Sequence, residues 1–321
     1  MHIRFTNNST LTNFEHFLSG VSLSDPTKLE ITTDPRWVNT HPAGIVFAAA
    51  LANLAGKGHS TIDDNISKSG AYLDRMGLYN YLSTKSHFVL NEKEASGRFI
   101  PIQNVKTPDE QTRFVTDMIP LLHLDSEKSK AIRYVVSELI RNVLEHSLSA
   151  SGAFVAAQYY PRKNKISIGI CDTGIGLKSS LSKYHFVDND LDAIRLALMP
   201  GVSGATSRPG GAEENGGAGL FIIKSMARIT RNYFLIYSGD SDYKLRKYDR
   251  RTKTPRIYAD PFDDTHTARS NLPNFQGTLV GIDISLSESE EFNNLLESIK
   301  KVYSKALYER KRKAYRKPIY R

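Results

Sequence analysis

The sequence predicts an α/β fold in two units, a smaller one followed by a larger one, and three observations carry that expectation. The chain has 321 residues, the length of about two domains. Over residues 1–82, short strand-like runs alternate with helical segments, the pattern of a layered sheet with helices on it. From residue 108 a long amphipathic helical segment precedes two apolar strand runs joined by a turn.

Taken in order, residues 28–33 read as a strand. Residues 42–56 read as a helix that opens at Pro42 and stops at Gly56 and Gly58, as helices tend to start and stop. Residues 60–66 read as a second strand and 67–76 as a second helix ending at Gly77; residues 88–90 and 98–102 are further strand candidates. A unit boundary is placed near 105. Residues 108–122 look helical, and Asp125 is placed to cap a long helix running to Ser147. In that helix Ile132, Val135, Val136, Leu139, Ile140 and Val143 share one broad face. Residues 153–160 and 165–171 form the hairpin expected around the turn 161–164. Residues 178–218 are long, polar and Gly-rich, with one short helix expected at 191–198; a loop of that length inside a compact unit is functional or disordered. Residues 219–229 read as a helix, 233–238 and 278–284 as strands, 239–276 as a polar excursion, and 291–308 as a closing helix. The expected division is 1–105, 106–290 and 291–321.

Bulk properties exclude several classes. Charged residues make up 24% and hydrophobic ones 40%, which is ordinary for a globular chain and argues against global disorder. The longest apolar run, residues 44–56, is too short to span a bilayer, so no membrane span is expected, and Met1 to Phe5 does not open a signal peptide. Cys171 is the only cysteine, so no internal disulfide forms; a cytoplasmic location fits. The net charge of +9 is concentrated at the end: residues 300–321 hold ten Lys or Arg and one acid, Glu309, with Tyr303, Tyr308, Tyr315 and Tyr320 between them. Such a run is either a solvated end or a contact for nucleic acid or an acidic partner.

Three segments carry chemistry. Glu138 and Asn142 are four residues apart on the long helix, one turn apart at the edge of its apolar stripe. There Asn142 could give an oxygen to Mg²⁺ and Glu138 could take a proton from an attacking hydroxyl or water; an amphipathic helix with a polar border would look the same. The segment Asp172-Thr-Gly174-Ile-Gly176 follows a strand directly. Its carboxylate could accept from an adenine amino group and its glycines permit close backbone approach, although a plain turn reads alike. Gly216, Gly217 and Gly219, followed by Leu220, open a helix, and free amides at a helix start suit phosphates; a flexible linker is the other reading. Neither GxxxxGK[ST] nor a GxGxxG strand–helix turn is present.

The order Glu138-x3-Asn142-x3-His146, Asp172-x-Gly174-x-Gly176, Gly217-x-Gly219-Leu220, then Gly277-Thr278 resembles the GHKL ATPase superfamily over residues 108–286. That group holds gyrase B, MutL, histidine kinases and anti-sigma-factor serine kinases, and the wording Asn142-Val-Leu-Glu-His146 is most similar to the last. The resemblance implies a two-layer α/β sandwich of the Bergerat type with ATP and Mg²⁺ as cofactors. It implies Asn142 as the Mg²⁺ ligand, Glu138 as the base or the group that polarises the nucleophile, Asp172 on the adenine amino group, and Gly174 and Gly176 shaping its pocket. Gly217 and Gly219 would hold the phosphates, Gly216 and Leu220 would join the nucleotide site beside them, and Thr278 would support the adenine through a hydrogen bond or a water. His146 either faces the site or is an ordinary polar residue of its helix. Residues 1–105 are similar to a STAS-type domain, with Thr40 the hydroxyl nearest the place of a phosphoacceptor. His123 sits in no phosphoacceptor motif, and no transducer domain follows the ATP segments, so sensor-kinase and topoisomerase readings do not fit.

The expected activity is therefore an Mg·ATP-binding regulator with ATPase or serine/threonine protein kinase activity, its 178–218 segment closing over ATP to control a protein partner. A non-catalytic nucleotide-sensing scaffold and an ATPase acting on nucleic acid through the 300–321 tail are the alternatives. A homodimer stays open.

Overall fold

The computed structural model describes residues 1–63, 68–86, 88, 98–124, 126–206, 217–247, 255–285 and 292–314. In chain order the elements are β1 (His2–Phe5), α1 (Phe14–Ser19), β2 (Leu29–Thr33), α2 (Pro42–Ala55), β3 (Ser60–Ile62), α3 (Ala71–Arg75), α4 (Leu78–Leu82), β4 (Phe99–Val105), α5 (Pro108–Arg113) and α6 (Ser126–His146). They continue with β5 (Ala153–Tyr160), β6 (Lys165–Asp172), α7 (Gly176–Leu181), α8 (Asp190–Ala197), α9 (Gly219–Ile229), β7 (Phe234–Gly239), β8 (Ser241–Leu245), β9 (His266–Arg269), β10 (Phe275–Ser285) and α10 (Phe292–Ala314). The fold is mixed α/β. A three-stranded parallel sheet runs β1-β2-β3, and a seven-stranded antiparallel sheet runs β4-β5-β6-β10-β7-β8-β9.

Both faces of the large sheet are covered, and the strand sequences show it. Side chains alternate between faces along a strand. In β5, Val155 and Ala157 join the core formed with α6, α9 and α10, whereas Phe154 and Ala156 join the core formed with α2, β1 and β2. Strands buried on both sides read as continuous apolar runs, which is why β5 and β6 are so legible. Helix α2 fills the space between the two sheets. It is apolar all round, buried from Pro42 through Ala52 and again at Ala55, as a helix without a polar face must be.

The fit of α2 on the sheet depends on a glycine. A Cβ at Gly169 in β6 would come within 2.3 Å of the Ala43 amide nitrogen. Gly281 of β10 stands opposite Gly169 in register. Beside this contact lies a buried polar cluster. His41 caps α2 by accepting the Ala43 N–H on Nδ1 at 3.0 Å, and its Nε2 lies 3.4 Å from Asp283 Oδ1. Asp283 also accepts from Lys165 Nζ at 2.8 Å and from the Ser167 hydroxyl. Burial holds the His41 pKa down and keeps the ring neutral. Burial alone would raise Asp283, but His41 and Lys165 bring it to about 2.

Several elements differ from the sequence expectation. β1, α1 and α4 were not expected. The helix expected at 67–76 is a 3₁₀ turn followed by the short α3, and Gly77 (φ +81°) then starts α4 in a new direction. The segment 108–122 is helical but not uniform: α5 passes into a π turn at Phe114–Met118 and a 3₁₀ turn at Ile119–Leu122, where Pro120 withholds an amide donor. The 178–218 stretch holds most of α7 and all of α8. The polar excursion 239–276 supplies two strands of the large sheet, β8 and β9. Its charges hide the pattern because they are buried in pairs. Arg269 donates to both oxygens of Asp242, and Lys244 pairs with Glu15 of α1 while donating to Thr12 O at 2.9 Å. Strand β4, from just before residue 105, hydrogen-bonds to β5 of the large sheet. Tyr303 is buried against Phe221 and does not offer a stacking face, whereas Tyr308 does stand exposed. The strand expected at 88–90, the cap at Asp125 and the tail residues Tyr315 and Tyr320 fall wholly or largely outside the described residues. No described helix is long and apolar enough to cross a membrane.

Candidate functional site

One cavity of about 290 Å³ collects most of the residues singled out from the sequence. It opens between α6, the ends of β6 and β10, and the start of α9. Asn142, Asp172, Gly176, Gly217, Gly219, Leu220, Thr278 and His146 all line it. Leu139, Val143, Ile170 and Val280 give it apolar walls, and Val202, Ser203, Gly204 and Ala205 close one side.

Local structure explains the convergence. Asp172 ends β6, and Thr278 stands opposite it in register on β10. The Asp172 carboxylate is 2% exposed and accepts the Gly174 amide at 2.8 Å. Burial raises its pKa to about 7, with the Gly174 and Thr278 amides drawing it partly back. A carboxylate this buried needs donors, and part of its acceptor capacity faces the cavity. The loop after β6 is pinned to the end of α6, since the Ile175 amide donates to Ser147 O at 2.8 Å. On the far side, Ser238 Oγ accepts from the Leu177 amide at 3.0 Å and donates to Gly277 O at 2.7 Å. Gly217 sits at φ +76°, and a Cβ there would come within 2.2 Å of Val202 O, so only glycine serves.

Asn142 points a second polar group into this region. Its Nδ2 is buried and has no hydrogen-bond partner among the described residues. Orphaned buried donors are uncommon in folded proteins, and one at a cavity wall asks for a ligand acceptor. His146 is half-buried, and burial lowers its pKa, so it is neutral near pH 7. Among the described residues no cluster of three or more His, Cys, Asp or Glu could hold a metal ion. Mg²⁺ does not need one, because it retains waters and takes one or two protein oxygens beside those of a phosphate; Asn142 Oδ1 fits that modest requirement.

Two residues stand apart from the cavity lining. Gly174 lies behind Asp172, holding it by its amide. Glu138 lies behind Gly219, where a Cβ on the glycine would come within 2.5 Å of Glu138 Oε2. Arg141 donates to that same oxygen at 2.6 Å. Burial raises the Glu138 pKa while Arg141 opposes the rise. Gly216 lies outside the described residues. Thr40, the hydroxyl weighed as a phosphoacceptor, is 2% exposed and donates to His41 O at 3.4 Å, so it is not presented to solvent.

Arg141 and Ser147 were not among the residues expected at the site, whereas Ser180 and the wall at 202–205 fall within the 178–218 stretch expected to close over the ligand. Arg141 was within reach of a sequence reading, one position from Asn142. Which part of that stretch meets residue 142 was not, because no spacing relates the two; only the path of the chain after α8 brings residues 202–205 there. No protein-family model matches the chain, and no curated protein matches its sequence.

Proposed function

We propose that this chain binds Mg·ATP in the cavity and acts as a GHKL-type regulatory protein with ATPase or serine/threonine protein kinase activity. The carrying observation is the pairing, across one largely apolar cavity, of a buried carboxylate at a strand end with a buried amide on the facing helix that has no partner among the described residues. A nucleotide suits that pair, with a flat apolar base for the walls, an amino donor for Asp172, and phosphate and metal for Asn142. The helix start at Gly219 and the amide of Gly217 suit the phosphates. Bound Mg²⁺ would neutralise phosphate charge, with Asn142 the residue to hold it. Asp172 orients the base, Thr278 backs it, Leu139, Val143 and Val280 exclude water, and Glu138 is the proton acceptor once it leaves Arg141. A Bergerat-type arrangement of the second unit and a STAS-like first unit belong to the same proposal.

The Glu138–Arg141 pair favours a second reading. A base that is already paired and set behind Gly219 is what a nucleotide sensor without turnover would carry. Calorimetric titration of ATP with and without Mg²⁺ tests binding, and no heat at millimolar ATP defeats both readings. Incubation with labelled ATP, alone and with cell lysate, then separates phosphate release, self-labelling and labelling of a partner from simple sensing.

A further inference from the structure

Helix α10 reaches from the core to the wall of the cavity. Leu295, Ile299 and Tyr303 are buried along one side of it, with the Tyr303 ring 6.1 Å from Phe221 of α9. Further along the helix, Lys311 and Arg312 stand exposed, but Arg310 is half-buried. Its Nη1 donates to Pro200 O at 2.9 Å and its Nη2 lies 3.5 Å from Met199 Sδ. Met199 and Pro200 lead directly into residues 202–205, one wall of the cavity. The same wall is tied at its base, where the Gly201 amide donates to Gly217 O at 3.2 Å. The helix before it is held as well, since Arg195 of α8 donates from Nε to both oxygens of Asp260 at 3.1 Å. The wall is also held at Ser203 O, 2.9 Å from His185 Nε2, and among these supports the one from α10 is a charged donor taken partly out of water to meet a single carbonyl.

We infer that α10 is a strap that fixes the 199–205 wall, with Arg310 the positioning residue that sets how tightly the cavity holds its ligand. The identity of that ligand rests on the nucleotide reading above; the strap itself does not. The tie from Arg310 runs to the segment that leads into the wall, rather than to the core that α10 shares with α9. Coupling of this kind is reciprocal: a ligand that orders the wall orders the end of α10, and a partner that grips α10 changes the affinity for the ligand.

The test uses the full chain, with Arg310→Ala and Arg310→Lys, and reads hydrogen exchange without ligand beside Mg·ATP affinity. Arg310→Ala speeds exchange across residues 199–206 by about tenfold, the loss of one charge-assisted hydrogen bond, and leaves α2 and β6 amides unchanged. It weakens Mg·ATP binding by about threefold to tenfold through the same coupling. Arg310→Lys, which keeps a donor for Pro200 O, restores most of both. Unchanged exchange at 199–206 in Arg310→Ala overturns the strap whether or not ATP binds. Faster exchange with unchanged affinity overturns the positioning role. Absence of ATP binding in the parent protein defeats the nucleotide reading and leaves the exchange result to decide the strap.

Discussion

Replacing Asp172 by Asn separates the requirements of folding from those of ligand binding. The Asp172 carboxyl is almost fully enclosed, and burial lifts its pKa from an ordinary 3.8 to about 7. A raised carboxyl pKa means that the folded state prefers the protonated form. Stability from this group is fully present below pH 3.8 and drains away as pH rises to about 7. At 1.36 kcal/mol per pKa unit, the raised pKa costs the folded state about 2 kcal/mol at pH 5, where it holds a proton the unfolded chain gives up, and about 4 kcal/mol at pH 8, where the buried group is ionised. Asn carries no such charge, and its carbonyl can still accept the Gly174 amide. Whatever constant offset the new amide introduces, the variant therefore gains about 2 to 3 kcal/mol on the parent between pH 5 and pH 8. Urea denaturation of both proteins at the two pH values measures this directly. In the same variant Mg·ATP affinity falls, because the adenine amino group loses a full carboxylate acceptor. A relative stability that stays flat or declines from pH 5 to pH 8 would refute the account of a buried, ligand-directed carboxylate. Parent-like ATP affinity in the variant would remove Asp172 from the base-reading role.

Other expectations follow from the same geometry. Mg·ATP affinity of the parent protein declines as pH drops below about 7, where Asp172 takes up its proton; isothermal titration across pH 5.5–8 reads the slope. Glu138→Ala abolishes any turnover while leaving ATP bound if Glu138 is the base; equal loss of both, seen in paired binding and phosphate-release assays, would make it structural. Gly169→Val drives a branched side chain into the first turn of α2, whose Ala43 nitrogen is 2.3 Å from the Cβ position, and costs about 3 kcal/mol or more in urea melts. Lys224→Met leaves the buried Asp264, 2.6 Å from the Lys224 ammonium, with only the more distant Arg228 at 3.4 Å, and costs about 3 kcal/mol by the same measurement.

What the sequence determined by itself was whatever is written in local periodicity. Helix α2 announces itself as an unbroken apolar run bounded by Pro42 and Gly56, and α6 as a stripe through Ile132, Leu139 and Val143. β5 and β6 read as apolar runs because both their faces are buried, and the spacing of Glu138, Asn142, Asp172 and Gly217 suggested one site. Tertiary structure decided the rest, for reasons that no window of neighbouring residues contains. β8 looked polar because its Asp242 and Lys244 are neutralised by Arg269 and Glu15, the latter more than two hundred residues away. The small sheet and the large one share α2 because Gly169 and Gly281, adjacent across two strands, leave room for its first turn. Asn142 and Asp172 share one cavity, while Glu138 turns from it to Arg141, because the carboxylate finds a guanidinium one helical turn away. The wall at 202–205, held by Arg310 from the last helix, exists only once the chain has closed on itself: long-range contacts, not propensity, place those residues where a ligand would meet them.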